Sequence, residues 1–144
     1  MQRFEDVFGK YIEKNCYNAP LRESEVVGLQ IATEDNAIRV ALSSPCIIPY
    51  SAIVEAQRIL SMNLSARSVA ISARYPSELL GPEAFSLVID YLKAANVPVN
   101  GFFRRAEIMY DNRCFTVRLP EQTVTFLEPL ALPGKIAAQA EALF

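Results

Sequence analysis

The sequence predicts an α+β fold built from two small units, α-β-β-α-β followed by α-β-β-α. Three observations predict it. Two pairs of alternating, strand-like runs are each joined by a short polar turn. Amphipathic helical segments flank each pair. The same order then restarts after Tyr75-Pro76, which divides the chain into a first N-terminal unit over 1–76 and a second, truncated unit over 77–144.

The first unit opens with Phe4, Val7, Phe8, Tyr11 and Ile12 at helical intervals, which predicts an amphipathic helix over 4–12. Residues 15–25, with Asn18, Pro20 and Ser24, read as a loop. Residues 26–31 alternate, and the pattern predicts a half-buried strand with Val27, Leu29 and Ile31 facing inward. Glu34-Asp35-Asn36 supplies a turn, and 37–42 alternates again with Ile38, Val40 and Leu42 inward and Arg39 outward. Ser43-Ser44-Pro45 breaks the strand. Pro49 sits where a helix can start, because its φ is already helical and its missing N–H costs nothing there. Ile53, Ala56, Gln57 and Leu60 mark one face of a helix ending near Met62, and 67–74 reads as a strand with Val69, Ile71 and Ala73 on one face.

The second unit repeats this order. Ser77 or Gly81 is a candidate cap for a helix with Pro82 and Glu83 in its first turn, and Phe85, Val88, Ile89 and Leu92 form its apolar stripe. Residues 96–103 connect to a strand over 105–110, with Ala106, Ile108 and Tyr110 on one side. Asp111-Asn112 reads as a two-residue turn, since Asn tolerates the left-handed backbone such turns need. The returning strand, 114–119, turns Phe115, Val117 and Leu119 inward and stops at Pro120. A last helix starts near Pro129 or Pro133 and carries Ile136, Ala140, Leu143 and Phe144. The second unit thus lacks its closing strand, and the order predicts that one would follow Phe144. Tyr50, Tyr75, Tyr91 and Tyr110 are assigned to packing edges.

Composition narrows the functional classes. Hydrophobic residues make up 51% of the 144 and charged residues 21%, a globular balance rather than a disordered one. The formal net charge is −2, without the basic excess by which dedicated nucleic-acid binders neutralise phosphates. Histidine is absent, which excludes Ser-His-Asp and Cys-His nucleophile systems and His-based zinc sites. Cys16, Cys46 and Cys114 are far apart and form no C-x-x-C pair, so neither a metal site nor a redox dithiol is signalled. They read as reduced thiols, packed or half-packed. No apolar run approaches the ~18 residues that span a bilayer. Residues 1–6 mix Arg3 with Glu5 and Asp6, unlike a signal peptide, so a cytoplasmic protein with no membrane contact is expected.

No catalytic residue, metal ligand or cofactor site is read from the sequence. Glycines occur neither in G-x-G-x-x-G nor in P-loop spacing. The α-β-β-α units resemble KH domains, yet both lack the G-x-x-G loop that clamps a nucleic-acid backbone. Glu5-Asp6 and Glu34-Asp35 lie on a helix surface and in a turn, unlike carboxylates converging on metal ions. The one cluster with chemical content is Asn100-Gly101-Phe102-Phe103-Arg104-Arg105, with Arg118 on the polar side of the neighbouring strand and Arg113 beside the turn. Phe102, Phe103, Arg104, Arg105 and Arg118 are the candidate binding residues for a nucleic acid or a partner, since aromatic and guanidinium faces stack bases and arginine pairs with phosphate. The competing reading seals Phe102 or Phe103 into the core and leaves the arginines in water.

Taken as a series, several segments resemble the N-terminal region of PolC-type bacterial DNA polymerase III alpha subunits. The carriers are the hairpin over 26–42, Ile48-Pro49-Tyr50 opening a helix, the strand over 69–74 followed by Tyr75-Pro76, Pro98-Val99-Asn100-Gly101-Phe102 ahead of the second hairpin, and the helix over 136–144. The resemblance covers nearly the whole chain. It implies a parent that is a replicative DNA polymerase with a 3′-5′ proofreading exonuclease, in which this region precedes the catalytic domains. No catalytic position of that family maps onto this sequence. The family's region is similar to the polymerase-binding part of the clamp-loader tau subunit, which implies docking to replisome proteins, with the tau subunit or the helicase as partner. The alternative expectation is a module that binds single-stranded DNA through the segment from Phe102 to Arg105.

Overall fold

The computed structural model describes residues 2–16, 18–99, 101, 103, 104 and 106–144. The protein is a mixed α+β chain that divides into two compact units, Met1–Pro76 and Ser77–Phe144.

The first unit holds a four-stranded sheet in the order β1-β2-β3-β4, with β1 Gln2–Arg3, β2 Glu25–Ala32, β3 Ala37–Ser43 and β4 Ser68–Arg74. β1, β2 and β3 pair antiparallel, and β4 joins β3 in parallel. A parallel neighbour requires a crossover, supplied by α3, Tyr50–Asn63. Pro49 precedes this helix as its cap, and Ile53, Ala56 and Leu60 on its inner face are buried. They lie against a sheet face built from Val40 and Leu42 on β3 and Val69, Ile71 and Ala73 on β4. Gln57, on the same helix, accepts a hydrogen bond from the Ile71 N–H at 2.8 Å.

The opening helix is shorter than the apolar spacing predicts. α1 spans Phe4–Phe8 and closes at Gly9, whose amide donates to the Glu5 carbonyl. A Cβ on residue 9 would run into that same carbonyl oxygen, so glycine permits the close approach. Phe4 and Phe8 are buried with ring centroids 4.9 Å apart, and Ile12 remains in the core beyond the helix end. The segment read as a loop over 15–25 contains a helix instead: α2, Ala19–Glu23, follows a helical turn at Lys14–Cys16. Asn18 Oδ1 accepts from the Leu21 N–H at 3.2 Å, and Pro20 lies in the first turn. The cap and the proline were helix-start signals; a burial of one residue, Leu21, suffices to dock so short a helix.

Tyr75 belongs to the core rather than to a packing edge. Its hydroxyl meets both backbone groups of Ile48, accepting from the N–H at 3.3 Å and lying 3.4 Å from the carbonyl. Burial raises its pKa, and the hydrogen bond its oxygen accepts from the Ile48 N–H opposes this only in part.

The second unit carries a two-stranded sheet, β5 Glu107–Asp111 and β6 Cys114–Arg118, with α4 Ala84–Ala94, α5 Glu121–Leu127 and α6 Leu132–Leu143. α4 turns Phe85, Leu87, Val88 and Leu92 inward, and α6 buries Leu132, Ile136, Ala140 and Leu143. Pro82 and Glu83 precede α4 rather than filling its first turn, and its cap position is Glu83 rather than Ser77 or Gly81; Ser77 instead opens a short helical turn over Ser77–Leu79. α5 was not expected; it starts directly at Pro120, the residue that stops β6. The hairpin turn is Asn112-Arg113 rather than Asp111-Asn112. Asp111 still pairs with Cys114, and both turn residues have positive φ, 46° and 60°. That is the signature of the mirror-image turn that matches strand twist.

Candidate functional site

The segment ahead of β5 forms a tight turn. Gly101 adopts φ 77°, in the left-handed region, and its carbonyl accepts from the Arg104 N–H at 3.2 Å. The Arg104 side chain folds back over it, so that a Cβ on residue 101 would lie 3.4 Å from Nε. Of the five candidate binding residues, Phe102 and Arg105 lie outside the described residues. Phe103 is half-buried and meets the buried ring of Phe85 edge-on at 5.5 Å. Phe85 meets Phe115 at the same distance, and Phe115 meets Tyr110 at 4.9 Å. Phe103 therefore extends the aromatic core of the unit, with one ring edge committed to packing.

The arginines are placed differently. Arg104 is exposed. Arg118 is exposed on the outer side of the hairpin, opposite Glu107, with Nη1 3.6 Å from Oε2. A pair in water contributes at most about 1 kcal/mol, yet it offsets the charge that Arg118 would offer a phosphate. Residues 77–144 carry six Lys and Arg against eight Asp and Glu, so this turn belongs to an acidic unit. The thiols of Cys46 and Cys114 are free, and they are exposed rather than packed or half-packed; the side chain of Cys16 lies outside the described residues.

A second feature lies in the first unit, and the alternation reading placed it wrongly. Val27, Leu29 and Ile31 on β2 do not sink into the core; they are 51%, 47% and 66% exposed. Two causes act together. The β2–β3 register shifts between Val26 and Gly28, so Val27 occupies a bulge and the alternation changes side there. Val26 faces Leu42, whereas Leu29 faces Val40 and Ile31 faces Ile38. Cross-strand partners share a face, so Leu29 and Ile31 lie on the helix-bearing side of the sheet. The buried positions of α3 and the sheet centre on β3 and β4, however, and β2 is left uncovered. Gly28 inside a strand pattern was the sequence signal for the bulge.

β2 is also an edge. β1 pairs only with Glu25 and Val26, and among the described residues no strand flanks Gly28–Ala32 on that side. From Val26 to Thr33 the strand carries no charge and no proline, the usual devices that keep an edge from pairing. The opposite edge, β4, is treated otherwise, since Gln57 occupies the Ile71 amide there. No protein-family model matches this chain, and no curated protein or solved structure matches it either. No helix among the described residues is long and apolar enough to cross a membrane.

Proposed function

We propose that this chain is a non-catalytic docking module of a replicative DNA polymerase of the PolC-type polymerase III alpha kind, and that it joins the polymerase to other replisome proteins. The observation that carries the reading is the apolar, uncharged edge of β2 over Gly28–Ala32, unpaired on one side, with Leu29 and Ile31 exposed on it. Such an edge offers main-chain hydrogen bonds for affinity and side chains for selectivity, the physics of strand addition. The polymerase setting rests on the sequence resemblance described above. The nucleic-acid alternative draws less support, because Phe103 is engaged with Phe85 and Arg118 faces Glu107.

The test is a calorimetric titration of the chain with the polymerase-binding part of a clamp-loader tau subunit and, separately, with a replicative helicase. Binding by either partner, weakened at least tenfold by Ile31→Lys while the far-ultraviolet spectrum is unchanged, is the expected result. Binding that ignores the substitution would move the docking surface elsewhere, and no binding by either protein would overturn the replisome setting.

A further inference from the structure

We infer that the β2 edge pairs with the β2 edge of a second copy of this chain, antiparallel and about a two-fold axis at Gln30. The inference rests on reading that edge as an association surface, and it names the occupant when no other partner is present.

Three features of the strand fit a copy of itself. An antiparallel pairing centred on Gln30 sets Leu29 opposite Ile31 of the copy, twice by symmetry, and Gly28 opposite Ala32. Both apolar side chains point to the same face of the sheet, as their partners Val40 and Ile38 do. A two-fold axis normal to the sheet preserves that face, so each exposed residue gains an apolar neighbour. Within Gly28–Ala32 no charge opposes a like charge, because the segment has none.

Charge fits at the ends of the pairing. β1 runs antiparallel to β2 with Gln2 opposite Val26 and Arg3 opposite Glu25, so it lies in line with the incoming strand on the same edge. The copy's strand ends at Ala32 opposite Gly28, and its acidic turn, Glu34-Asp35, then approaches β1, whose last residue, Arg3, is exposed. The same approach occurs at the other end. Arg3 already has Glu25 across from it, and the acidic turn has Arg67, whose amide donates to the Asn36 carbonyl at 2.8 Å. The pairing thus brings a cation and a carboxylate toward each other at each end. The two four-stranded sheets then join into one continuous sheet, with their helices on a common side.

Sedimentation equilibrium of the full chain, from low to high micromolar concentration, measures the association. A monomer–dimer equilibrium is expected. Ile31→Lys, and independently Leu29→Lys, should weaken it at least tenfold, since each sets a lysine charge against the apolar side chain of the copy, Leu29 or Ile31, that it faces. Arg3→Glu should weaken it severalfold at low salt, and combining Arg3→Glu with Glu34→Arg should restore it. Amide exchange of residues 28–32 should slow as concentration rises. A chain that stays monomeric throughout, a dimer indifferent to both lysine variants, or a charge swap without restoration would each overturn the inference. These outcomes are separate from those of the docking test. A monomeric chain whose binding to the tau subunit or helicase still falls with Ile31→Lys would keep the edge as a docking surface and remove only the second copy.

Discussion

The two units share an order of elements but differ in what closes the sheet. In the first, β4 returns beside β3 and α3 covers both, so Val40, Leu42, Val69, Ile71 and Ala73 are all buried. In the second, β5 and β6 stand as a hairpin, and Ile108, Tyr110, Phe115 and Val117 on its inner side are only half-buried. The burial of the second unit resides in α4 and α6 instead, through Phe85, Val88, Leu132 and Ile136. The strand returned by the crossover, with its helix, accompanies a buried sheet face in the first unit, whereas the bare hairpin of the second remains a cover. The comparison also shows that closing one side of a sheet leaves the other side open, which is where β2 lies.

The sharpest way to break this contrast is a pair of truncations. Leu60→Ala removes a side chain with no exposure, and about 2–5 kcal/mol should be lost from the first unit. Phe115→Ala removes a larger side chain from a half-buried site, and the loss should fall below the ~3–5 kcal/mol of a fully buried phenylalanine. Chemical denaturation followed by probes in each unit checks both. An equal or greater loss at Phe115 would mean that the hairpin is as much a core as the four-stranded sheet. A smaller effect is expected from Gln57→Ala, which leaves the Ile71 amide at the β4 edge without its acceptor. Destabilisation of about 1–3 kcal/mol, with faster amide exchange at residue 71, is the expected outcome. The smallest effect concerns the second hairpin. Arg113→Gly relieves a non-glycine residue held at φ 60° and creates Asn112 followed by glycine, the favoured pair for this turn. Thermal unfolding should show stabilisation of up to about 1 kcal/mol, and a loss of stability would show that the Arg113 side chain does more than occupy the turn.

The fold class and most of the elements were legible because the apolar periods are clean. Ile53, Ala56 and Leu60 on α3, and Val69, Ile71 and Ala73 on β4, sit inward as their spacing requires. The failures have distinct physical causes. Alternation along β2 ignored the bulge that Gly28 signals, and no periodicity states which strands a helix will cover. α2 was concealed by length, since five residues give barely one turn of pattern, although Asn18 and Pro20 marked its start. α5 was concealed by composition: Thr123, Val124 and Thr125 are β-branched, and Val124 and Phe126 are exposed, so no clean stripe appears. At the candidate binding segment, sequence alone left open whether a phenylalanine packs or stacks. For Phe103 the contact with Phe85 favours packing, a long-range relation that local spacing does not carry.

The parallel union of β3 and β4 has a consequence for how the chain acquires its structure. Ala37 meets Ser68 only after α3 has formed and swung the chain back across the sheet, whereas Asp111 meets Cys114 across two residues. Closing a long loop before any contact rewards it slows assembly, while hairpins of the second kind form in about 1–10 μs. The second unit therefore assembles its sheet early and locally. The first pairs β2 with β3 just as locally, but the outer edge of β3 stays open until β4 docks, so the interval before the crossover closes is when this chain is most prone to aggregate.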